Sequence, residues 1–291
     1  MPLIRLLGCV LLLCCSLAVE AAPRPYIVDV QTSAIEGEYF ADLLALILNA
    51  SKAPDEVIQI RFAHDQISQA RWVAAVAQGK GNNIIWTMTS KAREETLRVI
   101  RFPLMKGLMG YRQLVIRKAD EEKFAKVKTQ QDLIKLSAGQ GVHWPDTNIL
   151  RANQFYVVEA MAKENLYKMI AAKRFDFFPR GIIEIPVEQD LIRAQNLSVE
   201  PHILLHYPTD LYFFVNKANN ELASRIEKGC EIIFKNGDFD KYFLSYVRMK
   251  AAIDFLNKHN YQIIELENPF ISDDTLNASK HYWLEPGKSV P

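Results

Sequence analysis

Hydrophobic positions change period several times along this chain, and each change marks an element. Residues 26–30 alternate as a short strand, and Gly37 precedes an amphipathic stretch, 39–48, whose Leu43, Leu44, Ile47 and Leu48 share one helical face. Residues 57–62 alternate again, 66–77 are helical and end at Gly79 and Gly81, and 83–88 (NIIWTM) form a third strand. A βαβαβ order between residues 26 and 88 predicts a parallel α/β layer.

The chain then turns polar at 90–95, passes Arg101-Phe102-Pro103-Leu104 and enters a strand-like stretch at 110–117. Residues 118–128 are charged and read as exposed. The α/β grammar then repeats: a helix at 130–136, a short strand at 141–143, a loop at 144–147 and a helical region of one or two helices at 148–172. A strand at 175–178 and a helix at 184–194 follow. Residues 212–215 read as another strand, and 221–235 and 239–257 as helices separated by the Asn236-Gly237-Asp238 turn. The pattern predicts an α/β protein of two lobes with a ligand cleft between them. The first lobe takes 22–115 and the second 116–205, and 206–291 returns to the first with a C-terminal extension docked on it.

The leader changes the setting. Arg5 is followed by 14 apolar or small residues from Leu6 to Val19, short of the roughly 20 needed to cross a bilayer. Val19-Glu20-Ala21 offers a cleavage point after Ala21, so 1–21 reads as a signal peptide and the mature chain as periplasmic. An uncleaved anchor, or lipidation at Cys9, are the alternatives. Three of the four cysteines lie in that leader, leaving Cys230 without an intramolecular partner. The net charge is +1 and stays so after cleavage, because Arg5 and Glu20 leave together; such a balance argues against a nucleic-acid partner.

Several segments, taken in order, resemble the bacterial periplasmic solute-binding proteins of family 3, the polar amino-acid substrate-binding proteins of Venus flytrap type that serve ABC transporters. Residues 37–44 (GEYFADLL) resemble that family's entry to its first helix. Ser90-Lys91-Ala92-Arg93 with Phe102-Pro103 resembles its arginine passage, and 141–147 its turn into a second-lobe helix. Residues 171–178 (AAKRFDFF), 212–215 and Asn236-Gly237-Asp238-Phe239 match later segments, so the resemblance spans about residues 26–250. It implies the type II periplasmic-binding-protein fold and closure of the lobes around a small-molecule solute. It also implies a monomer that presents the solute to an ABC permease or a membrane sensor.

Within that frame Arg93 is the expected carboxylate clamp, since a planar guanidinium donates two parallel hydrogen bonds to a carboxylate; a solvated arginine paired with Glu94 or Glu95 is the plainer reading. Met88, Thr89 and Ser90 beside it offer backbone and hydroxyl contacts, and Trp86 either lines the cleft or fills the core. Thr147 and Asp146 sit at a helix start, where amides favour an anion; Asp146 either caps the helix or holds a ligand cation, and Trp144 is a candidate aromatic wall. The resemblance places an ammonium-binding aspartate where this chain has Gly181. Either Glu184 or Asp146 replaces it, or the ligand has no α-amino group, in which case Arg180 could oppose Arg93 across the cleft. His64-Asp65 and the pair His202 and His206 match no catalytic or metal motif. Neither enzyme activity, nor a metal, nor a cofactor is expected; a sensory module is the alternative function.

Overall fold

The computed structural model describes residues 22–30, 38–62, 68–79, 83–258 and 261–284. The leader with its cleavage point, Gly37, His64-Asp65 and Gly81 lie outside the described residues. Two sheets organise the rest. The first has the order β2-β1-β3-β10-β4. Its strands are β1 (Arg24–Val30), β2 (Glu56–Phe62), β3 (Asn83–Met88), β4 (Arg98–Val99) and, much later, β10 (Leu211–Val215). β1 pairs parallel with β2 and β3, and β10 runs antiparallel between β3 and β4. Helices α1 (Glu38–Ser51), α2 (Gln69–Ala77) and α3 (Lys91–Thr96) connect these strands.

The second sheet has the order β11-β9-β5-β8-β6-β7. It contains β5 (Tyr111–Arg117), β6 (Ser137–Gly141), β7 (Tyr156–Ala160), β8 (Phe177–Gly181), β9 (Leu197–His206) and β11 (Gln262–Glu265). Between them lie α4 (Glu121–Phe124), α5 (Gln130–Leu133), α6 (Pro145–Ala152), α7 (Lys163–Ala171) and α8 (Ile185–Ala194). β5 is central and covered on both faces. Leu114 and Ile116 enter one buried cluster with Phe177 and Leu205, and Val115 enters another with Ile170 and Phe178. That double burial explains its near-continuous apolar run.

Four expectations change here. β5 belongs to the second sheet, so the expected boundary at 115/116 falls inside a strand. The helical region at 148–172 is interrupted by β7, an edge strand entered through Gln154 at φ +68° without a glycine or proline to mark the turn. His202 and His206, in a stretch for which no element was predicted, lie on β9. The tail does not simply return to the first lobe. β11 extends the second sheet beside β9, and α12 (Asp273–Ser279) packs toward the first sheet, where the Ser279 and Tyr212 hydroxyls lie 2.9 Å apart.

α9 (Asn220–Lys235) lies on α1, and α10 (Asp238–Ser245) and α11 (Val247–Lys258) follow it. Gly229 is where the α1–α9 backbones meet: a Cβ there would stand 2.1 Å from the Ile47 carbonyl oxygen. Alanine gains about 1 kcal/mol of helix propensity over glycine, but the overlap is with backbone and forces the helices apart. Overpacking of this kind costs about 1–3 kcal/mol or more. Gly229→Ala is therefore expected to lower stability in denaturant titration despite the better propensity.

Besides the long crossing through α9, α10 and α11 to β11, two short connections join the sheets, residues 100–110 and 207–210, and Asp210 ties these two together. Its carboxylate accepts from the backbone amides of Met105 (3.0 Å), Gly107 (2.5 Å) and Leu211 (2.6 Å). Burial outweighs those donors and pushes its pKa up to about 7. A carboxyl raised in the folded state favours folding most below its unfolded pKa, near 4, and that contribution is lost as pH rises toward 7. Compared with Asp210→Asn, the native protein should lose stability between pH 4 and 7 by at most about 1.4 kcal/mol per pH unit. Thermal melts of the two proteins across that range check it; parallel profiles contradict it.

Candidate functional site

β3 ends at Met88 and hands over to α3, while β6 ends at Gly141 and turns into α6. These two strand-to-helix turns, one from each sheet, face each other across a cleft of about 450 Å³. Ser90, Lys91, Ala92 and Arg93 line it from one side, and Val142, His143, Trp144, Pro145 and Thr147 from the other. Val73 of α2 and Phe270 of the tail add apolar wall.

Arg93 spans the gap. Its Nη1 donates to the Thr87 hydroxyl and the Met88 carbonyl, both at 2.6 Å, and its Nη2 donates to the Gln69 amide oxygen and, across the cleft, to the His143 carbonyl at 3.2 Å. His143 is turned for this contact by a left-handed backbone, φ +69°, which is uncommon outside glycine. All four acceptors are neutral. Burial lowers the guanidinium to about 10, the Asp146 charge opposing, so it remains cationic at neutral pH.

The other predicted residues divide. Ser90 caps α3, its hydroxyl accepting from the Arg93 amide at 3.3 Å, and faces the cleft. Thr147 lines the cleft, but its hydroxyl donates to the Gly141 carbonyl at 2.9 Å. Trp144 forms cleft wall and stacks on Phe178 with centroids 6.5 Å apart. Trp86 stacks on Phe40 at 5.2 Å within the first-lobe core. The Thr89 hydroxyl donates its proton to Glu94 at 2.6 Å, and Thr89 is buried and does not line the cleft. Met88 is buried in the second-lobe cluster, and its Sδ accepts from Arg112 at 3.4 Å.

Asp146 does not cap α6, and its Oδ1 meets a cation of this chain. It receives Arg112 Nη2 at 2.8 Å and the Tyr207 hydroxyl at 2.5 Å. Arg180 does not oppose Arg93 across open space. It is 5% exposed, stands over the Trp144 and Phe178 rings, and donates to both oxygens of Glu188 (2.8 and 2.7 Å) and to Glu184 (2.7 Å). Glu184 also receives the Gly181 amide at 2.7 Å and Arg112 Nη1 at 3.4 Å. The Gly181 position is thus occupied from outside: a Cβ there would meet Glu184 at 2.9 Å and Arg112 at 3.0 Å. Burial works against the charges of Arg112 and Arg180, yet their carboxylate partners raise both above the ordinary arginine range.

Sequence reasoning missed Gln69, Arg112, Tyr207, Glu188 and Phe270. Only Arg112 left a legible sign, a charge near the start of an otherwise apolar strand.

No family model matches this chain, and no curated protein matches it by sequence. Solved structures do match by shape. An ancestral arginine-binding protein bound to arginine superposes with a TM-score of 0.57 at 13% identity, covering 77% of this chain and 98% of that one. An arginine-specific periplasmic binding protein from Salmonella typhimurium gives 0.56 at 14% identity, covering 77% and 99%. A histidine kinase sensor domain with similarity to periplasmic binding proteins gives 0.55 at 14%, covering 77% and 96%. The chain has the periplasmic-binding-protein fold. In this two-lobed binding-protein frame the Arg93 cleft lies where the lobes face each other, with walls drawn from both. Among the described residues no cluster of three or more His, Cys, Asp or Glu side chains could hold a metal. The buried Cys230 thiol is pushed up by desolvation, which leaves it unreactive.

Proposed function

We propose that this protein binds a small, carboxylate-bearing solute between its lobes and delivers it to a membrane transporter. The observation that carries the reading is Arg93: a half-buried cation in the interlobe cleft whose acceptors are all neutral. Gln69 and the His143 carbonyl hold Nη2 in this conformation. A ligand carboxylate exchanges for them and gains the charge-assisted pair they do not supply. Because the His143 carbonyl comes from the opposite lobe, the exchange couples ligand arrival to lobe geometry.

In this reading residues 1–21 direct export and are removed after Ala21, and the mature chain works in the periplasm as a monomer beside an ABC permease. Among the described residues no helix is long and apolar enough to cross a membrane. A second reading, a sensory module signalling through a membrane partner, is favoured by the likeness to the histidine kinase sensor domain; both share the same cleft chemistry.

A thermal-shift screen of the purified mature protein over amino acids, organic acids, polyamines and short peptides tests the shared claim. A ligand that binds only the folded state raises the melting temperature, by about 2.7 kcal/mol of stabilisation at a hundredfold excess over Kd. A carboxylate-bearing solute should do so, and a flat response across the panel contradicts solute binding.

A further inference from the structure

The charges around the cleft define the ligand class further than binding alone. Three second-lobe carboxylates lie behind the cleft wall: Asp146 between the lining residues Pro145 and Thr147, and Glu184 and Glu188 on Arg180, which stands over the lining Trp144. Each is committed to a cation of this chain: Asp146 to Arg112 at 2.8 Å, Glu184 to Arg180 at 2.7 Å, and Glu188 to Arg180 at 2.7 Å and Lys163 at 3.2 Å. Three acids therefore meet three bases, Arg112, Arg180 and Lys163, and the network is neutral within itself. The Tyr207 hydroxyl donates to the same Asp146 oxygen, Oδ1, that Arg112 meets, at 2.5 Å, and the Tyr167 hydroxyl donates to Glu188 Oε2 at 2.6 Å. Glu159, which reaches the cleft wall, is paired with Arg151 at 2.7 Å. On the first-lobe side Glu94 is consumed by the hydroxyls of Thr89, Ser272 and Thr275 at 2.6, 2.7 and 3.0 Å.

Against these committed acids stand cations with no carboxylate. Arg93 meets neutral acceptors, and the Lys91 ammonium donates to the Pro269 carbonyl at 2.9 Å. Both line the cleft, whose remaining wall mixes apolar Val73, Val142 and Phe270 with polar Thr96, Asn148 and Glu159.

We propose that the cleft selects an organic acid anion lacking an ammonium group, in preference to the α-amino acid of the same skeleton. This rests on the solute-binding reading above. An ammonium entering the cleft finds each nearby carboxylate already neutralised by a cation of this chain, Arg151 on Glu159 at the wall and Arg112 or Arg180 behind it. To take such a cation's place on a buried carboxylate costs roughly 100-fold or more in affinity. The ammonium also stands near Arg93 and Lys91, whose like charge repels it. An organic acid meets neither cost: its carboxylate neutralises Arg93 and its body packs on apolar wall.

Calorimetric titration of the purified mature protein with three matched pairs reads the preference directly. The pairs are propionate with L-alanine, glutarate with L-glutamate, and 3-phenylpropanoate with L-phenylalanine. In at least one pair the acid should bind tenfold or more tightly than its amino counterpart, and in none should the order reverse. Equal or tighter binding of the amino acid overturns the inference while leaving solute binding intact. Binding of neither member of any pair also overturns it. The broad thermal-shift screen then decides whether solute binding itself fails.

Discussion

Arg180→Ala should be the most damaging substitution in the second lobe, costing about 3–5 kcal/mol of stability. The arginine donates to Glu188 at 2.8 and 2.7 Å and to Glu184 at 2.7 Å while sandwiched against Trp144 and Phe178. Its removal leaves Lys163 as the remaining cation on Glu188, which is 3% exposed, and strips the aromatic faces of their cation. A fall in melting temperature of roughly 10 °C follows for a domain of this size.

The same substitution should change the acid limb. Burial pushes the Glu188 carboxyl upward, but the Arg180 charge and hydrogen bonds prevail and hold it at about 2. A carboxyl depressed in the folded state contributes stability above its unfolded pKa, near 4.5, and loses it as pH falls toward 2. The native protein should therefore weaken across pH 4.5 to 2, and Arg180→Ala should show a shallower loss there. A melting change under about 1 kcal/mol at neutral pH, with an unaltered acid limb, contradicts this role.

Arg93→Ala should behave in the opposite way, sparing the fold and removing the ligand. The side chain has no carboxylate partner, and its loss frees only the neutral acceptors Thr87, Met88, Gln69 and His143, so stability should move by about 1 kcal/mol. A hydrogen bond to a charged group is worth about 1.5–3 kcal/mol, so affinity for a carboxylate should fall by at least about tenfold. Arg93→Lys should recover only part of it, because an ammonium cannot reproduce the planar fork. Unchanged affinity in Arg93→Ala would remove this residue from the site.

How much of this could be read from the chain varies by residue. β3 is legible end to end because NIIWTM alternates between two packed faces, and the Ser90–Arg93 turn after it carries its own cap. β7, β9 and β11 were not legible. β7 is an edge strand with Tyr156 exposed, β9 carries Glu200, Pro201 and His202 in its middle, and β11 is four residues long. None shows enough alternation to outweigh its polar content, and tertiary pairing decides each. In the site, Arg93 was singled out by the resemblance that its Ser90–Arg93 segment carries, and the structure places it at the cleft. Arg180 was noticed but not placed, because its i+4 and i+8 carboxylates lie on the following helix and the direction of its side chain depends on that helix's packing. Arg112 pairs with Asp146 and Tyr207, 34 and 95 positions away, a contact no local pattern encodes.

If the cleft between the lobes takes an anion on Arg93, a crystal structure of the mature protein with the tightest-binding solute from the screen should show carboxylate oxygens on Arg93 Nη2, with Gln69 and the His143 carbonyl displaced and the Arg112–Asp146 and Arg180–Glu188 pairs intact. A ligand bound away from Arg93, or an ammonium seated on Asp146 or Glu184 with those pairs broken, would contradict it.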